Sequence, residues 1–127
     1  MRGIAELYTM KTLVIGASEN PQRYSNMAIK SLLRHGKEVA AVGLKEGEVD
    51  GVKILTGQPA IENVDTVTMY IGPRNQPPFY DYILSLKPKR IIFNPGAENE
   101  ELEKLAQKNG IEVVEACTLV MLSVGNY

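Results

Sequence analysis

The segment Gly16-Ala17-Ser18-Glu19-Asn20-Pro21-Gln22-Arg23-Tyr24-Ser25 holds the groups best suited to binding an anion. Gly16 lets the backbone turn sharply and lets a phosphate come close to the main chain. Ser18 adds a hydroxyl donor, and Arg23 adds a planar guanidinium that matches phosphate oxygens. Pro21 stiffens the loop, and Ser25 or Asn26 is placed to cap a following helix. The free N–H groups of such a helix start, together with its dipole, favour negative charge. An ordinary connection with one surface arginine explains Arg23 alone. It explains Gly16, Ser18 and Arg23 together less well. Only the first glycine of a G-x-G-x-x-G fingerprint is present, so this is not the usual dinucleotide turn.

Three further loops carry smaller signals. Gly43-Leu44-Lys45 follows the second apolar run, where an NAD site would place an acidic residue on the ribose. Lys45 argues against NAD and suits a phosphorylated ribose, as in coenzyme A or NADP; a solvated lysine is the blander account. Ile71-Gly72-Pro73 offers a flat, side-chain-poor surface for a base, with Arg74 beside it, although a structural turn fits equally. Asn94-Pro95-Gly96 sits in the fourth such loop and is placed to meet an extended arm or a second ligand. No catalytic set is visible. His35 suits the C-terminal end of a helix, where a cation complements the dipole. Cys117 follows the last strand, and a buried inert thiol is the favoured account of it. One cysteine and one histidine leave no zinc cluster.

The elements that position these loops alternate in type. Short β-branched runs at 12–15, 39–42, 66–71, 90–93 and 111–114 read as buried strands. Between them, 26–35, 77–86 and 99–108 show helical spacing, with Gly36 and Gly110 as stops. Residues 52–54 suggest a small edge strand, 60–63 a short helical turn, and 117–124 an apolar final helix or turn that docks on the domain or forms a dimer contact. This order predicts an α/β Rossmann-like three-layer fold with a five-stranded parallel sheet, strand order 3-2-1-4-5. Ligands in such sheets bind beyond the strands' carboxyl ends, at the reversal between strands 1 and 4.

Bulk properties narrow the function. The 127 residues suit one domain, 11–127, preceded by a flexible lead or expression remnant at 1–10, with Met10 a plausible native start. A net charge of −1 gives no global field for nucleic acid or an anionic membrane. No run approaches the ~20 apolar residues of a membrane span, and the single cysteine fits a reducing cytoplasm.

At Gly16-Ala17-Ser18, Pro21, Arg23 and Ser25 the sequence resembles the stand-alone CoA-binding domain proteins, which are similar to the N-terminal domain of the succinyl-CoA synthetase α subunit. The glycine-bearing link 51–57, Val64-Asp65, Gly110, and Val113-Val114 followed by Cys117 extend the resemblance. It implies that Gly16, Ala17, Ser18 and Arg23 hold the CoA pyrophosphate and that Lys45 meets the ribose phosphate. It also implies that Ile71, Gly72 and Pro73, with Asn94, Pro95 and Gly96, line the adenine and pantetheine path. This chain departs from the family at Gly43-Leu44-Lys45-Glu46, where many members carry proline-asparagine-proline. It departs again at Asn94-Pro95-Gly96, where many have glutamine before the glycine. The expectation is a cytoplasmic protein that binds coenzyme A or an acyl-CoA without a catalytic centre. The alternatives are an NADP- or other nucleotide-dependent enzyme, and a metabolite or redox sensor acting through a protein partner or as a homodimer.

Overall fold

The computed structural model describes residues 10–127, so residues 1–9 of the expected lead lie outside the described residues. Among the described residues, seven strands form one sheet: β1 (Lys11–Ala17), β2 (Glu38–Gly43), β3 (Gly47–Val49), β4 (Val52–Leu55), β5 (Val64–Met69), β6 (Arg90–Phe93) and β7 (Glu112–Glu115). The helices are α1 (Tyr24–Arg34), α2 (Tyr80–Ser85), α3 (Glu100–Lys108) and α4 (Thr118–Val124). The Rossmann-like expectation holds.

The strand count and one position in the order differ from expectation. The order is β3-β4-β2-β1-β5-β6-β7, with β3 antiparallel to β4 and the other pairs parallel. The polar stretch after β2 turns back at Asp50 and Gly51, whose φ angles of 47° and 88° close a tight hairpin. Its second arm, β4, takes the place beside β2 (Ala41 opposite Ile54). The strand expected third, β5, therefore crosses to the free edge of β1, with Leu13 opposite Val67. With β4 counted as third strand, the parallel strands run 3-2-1-4-5-6, and the reversal falls between β1 and β5.

Alternation along β1 feeds two cores. Leu13 and Ile15 pack with Met69, Phe93, Leu102 and Ala106 on the α2–α3 face. Val14 packs with Ile29, Leu32, Ala41 and Leu122 on the α1–α4 face. Each face is covered, as a parallel sheet requires.

Several local expectations shift. Residues 60–63 form no helical turn; Tyr82 Oη donates to Pro59 O at 2.7 Å there. The helix expected over 77–86 splits into a 3-10 turn, Pro77–Phe79, and α2, because adjacent prolines remove two N–H donors. The α3 start is capped by Asn99, whose side chain accepts from Leu102 N while Glu103 Oε2 accepts Asn99 N–H at 3.0 Å. His35 stands at the C-cap of α1 and donates from Nδ1 to Ser31 O at 2.8 Å, a structural role. The final segment is helical and docks: Met121 and Leu122 are buried, with Leu122 packing in the α1 core. Among the described residues no helix is long and apolar enough to cross a membrane.

Candidate functional site

A cavity of about 640 Å³ opens beyond the carboxyl ends of β1, β2 and β5, at the reversal of strand order. It gathers Gly16, Ala17, Ser18, Arg23, Ser25, Lys45, Ile71, Gly72, Pro95 and Gly96 into one lining. Pro21, Pro73 and Asn94 fall outside it. Pro21 is exposed on the loop, and Pro73 opens a 3-10 turn. Asn94 is 2% exposed and lies beneath the cleft, where Nδ2 donates to Thr68 Oγ1 and Met69 O and Oδ1 accepts Thr118 N–H.

The β1–α1 loop is built by its own polar groups. Gly16 holds φ +99°, a conformation side chains disfavour, at the point where the β1–β2 register shifts between Ile15 and Ala17. A Cβ there would lie 3.0 Å from the Tyr70 carbonyl carbon. Ser18 Oγ accepts Asn20 N–H at 3.1 Å, and Asn20 Oδ1 accepts Gln22 N–H at 3.0 Å. The helix cap is Arg23 rather than Ser25 or Asn26, which lie inside α1. Arg23 makes no side-chain cap bond, and the first turn of α1 has no acidic residue. The leading N–H groups of α1 thus keep their positive end for an incoming anion. Asn26 instead ties the helix to the loop, with Nδ2 donating to Ser18 O at 2.9 Å.

Other lining residues were not singled out in the sequence. Leu44 is 99% exposed and Tyr24 69% exposed, so two large apolar surfaces flank the cleft in open water. Glu19 and Glu46 also line it. Glu19 Oε2 accepts Glu48 N–H at 3.0 Å and fastens the loop to β3. Gly43 is a hidden requirement: a Cβ there would stand 2.3 Å from Ala17 O. Leu44, Tyr24, Glu19 and Glu46 lie in or beside loops that the strand pattern marks, and Gly43 ends β2, but exposure and close approaches are tertiary facts.

Tyr70 closes the floor. Its hydroxyl is buried beside Thr68 and Thr118 without a well-formed hydrogen bond among the described residues. Burial pushes the phenol up to about 12, the nearby Cys117 adds to the rise, and the two threonine hydroxyls oppose it. The folded value lies above the unfolded one, so its contribution to stability is full below pH 10 and is lost between 10 and about 12. Denaturant titrations across that window are expected to show a loss on the order of 2 kcal/mol that Tyr70→Phe removes. An identical slope in both proteins would contradict the assignment.

The lining offers an anionic ligand a glycine turn, an uncapped helix start, one guanidinium and one ammonium, beside two carboxylates and an apolar rim. Comparison with known proteins agrees with the Rossmann-like fold. The family model of the CoA binding domain matches residues 10–123, and the chain belongs to that family. An uncharacterized protein solved by crystallography is 57% identical and superposes with a TM-score of 0.90, over 93% of this chain and 98% of that one. A hypothetical protein from Pyrococcus horikoshii OT3 is 25% identical with a TM-score of 0.82, over 98% and 96% of the two chains. The dinucleotide-forming acetyl-coenzyme A synthetase 1 of Ca. Korarchaeum cryptofilum, solved with phosphate and ADP, shares the fold at 20% identity and TM-score 0.67. The match covers 91% of this chain and 28% of the synthetase. No curated protein matches the chain significantly.

Proposed function

We propose that this protein is a coenzyme A or acyl-CoA binding module and that the cleft beyond β1 is its binding site. The observation that carries this reading is the convergence of Gly16, the uncapped α1 start and Arg23 on one cavity, with Lys45 in its lining. The main-chain N–H groups of the loop and of α1 take the pyrophosphate, and Arg23 adds a charge-assisted bond. Lys45 takes the ribose 3′-phosphate, and Leu44 and Tyr24 give the base an apolar surface. The loops after β5 and β6 line the rest of the path.

The charges in the lining set the character of binding. Arg23 and Lys45 are matched by Glu19 and Glu46, so the cleft has no net formal charge. Affinity for a polyanion then rests on placed donors at short range rather than on a long-range field.

Arg23→Ala is expected to weaken CoA binding by on the order of 1–3 kcal/mol, the range for a charge-assisted bond. Calorimetry on the folded variant checks this, and an unchanged affinity would remove Arg23 from the site. Lys45→Ala is expected to reduce affinity for CoA more than for dephospho-CoA. Equal losses with both ligands would show that Lys45 does not read the ribose phosphate.

A further inference from the structure

Gln76 is a polar side chain with 0% exposure, lying between two walls of the cleft. Its Nε2 donates to Ile71 O at 2.9 Å and to Ala97 O at 2.7 Å. Its Oε1 accepts from Asn99 Nδ2 at 2.9 Å. Asn99 is held in turn, since the same Nδ2 also donates to Tyr80 Oη at 2.8 Å and the side chain caps α3. Both N–H donors and the oxygen of the Gln76 amide are therefore engaged, as a buried polar group requires.

The placement of the two carbonyls gives the arrangement its consequence. Ile71 and Ala97 both line the cavity, one after β5 and one after β6. Paired residues of β5 and β6 end at Met69 and Phe93. Beyond that point the two chains diverge into separate loops. The Gln76 amide spans the gap and donates one N–H to each side.

We infer that Gln76 is a positioning residue of the ligand site: its amide clamps the β5 and β6 loops at a fixed separation and so preshapes the cleft wall before ligand arrives. This inference rests on the CoA reading for its ligand, but the clamp itself is testable without any ligand. Preshaping matters because a wall that must be ordered on binding subtracts its ordering cost from affinity.

The test uses Gln76→Met, which keeps length and apolar packing and removes both donors. Hydrogen exchange is followed in peptides covering 70–76 and 95–97, with β1 and α1 as internal references, and CoA affinity is measured on the same sample. The expected result is faster exchange in both loops together, little change in the references, and about tenfold weaker CoA binding, consistent with two lost hydrogen bonds. Unchanged exchange, or faster exchange with wild-type CoA affinity, would overturn the positioning role. So would equal acceleration in the references, which would mark general destabilisation. If Gln76→Met does not fold, NMR of the wild type decides the matter. The Gln76 side-chain amide protons are expected to exchange as slowly as sheet amides and to shift on CoA addition, and solvent-like exchange or no shift would overturn the clamp. A wild type that fails to bind CoA while those protons remain protected would overturn the CoA reading and the ligand-positioning role, leaving only the loop contact.

Discussion

Gly43→Ala is expected to destabilise the protein by about 3 kcal/mol, the scale of forcing extra volume into a packed site. The added Cβ would meet Ala17 O at 2.3 Å and Ile54 Cγ2 at 3.0 Å. The first neighbour is backbone and cannot rotate away, so β1 and β2 must separate where the ligand loop leaves the sheet. Ala17 and Ser18 both line the cleft, so binding should fall along with stability. A thermal melt and a CoA titration on the variant would check this. Wild-type stability would mean that β2 shifts freely at its end.

Asn94→Ala is expected to cost about 3 kcal/mol, because the buried Thr118 N–H loses its acceptor while Thr68 Oγ1 keeps its bond to Thr118 Oγ1 at 2.8 Å. Three bonds would be lost, to Thr68 Oγ1 at 2.6 Å, Met69 O at 2.9 Å and Thr118 N at 2.9 Å. The Thr118 N–H belongs to the first turn of α4, so this amide joins β5, β6 and the final helix. Equilibrium denaturation would measure the loss. A neutral alanine variant would contradict this account of Asn94 as a buried joint beneath the cleft.

The pattern of the chain made some of this legible and hid the rest. Leu13-Val14-Ile15 and Ile91-Ile92-Phe93 are apolar on both faces, so their burial in a parallel sheet could be read directly. The side of β1 on which β5 lands could not, because local pattern says nothing about which free edge a crossover reaches. The β3–β4 hairpin was half visible in Val52-Lys53-Ile54. Its partner Gly47-Glu48-Val49 lacks the apolar run that marks a strand, and its pairing comes from the turn at Asp50-Gly51. In the site, Gly16, Ser18 and Arg23 were legible because their types carry chemistry. Gly43 and Gln76 were not: one matters through a carbonyl that crosses it, the other through one carbonyl of its own loop and one from the distant loop after β6. Asn94 was picked out by type, yet its amide is spent on the interior.

The most direct test of the central claim is a calorimetric titration of purified, ligand-free protein with coenzyme A, with NADP and NAD under the same conditions. Saturable binding of CoA with little response to either dinucleotide is the predicted result. Binding of a dinucleotide without CoA, or no binding of CoA at all, would contradict it.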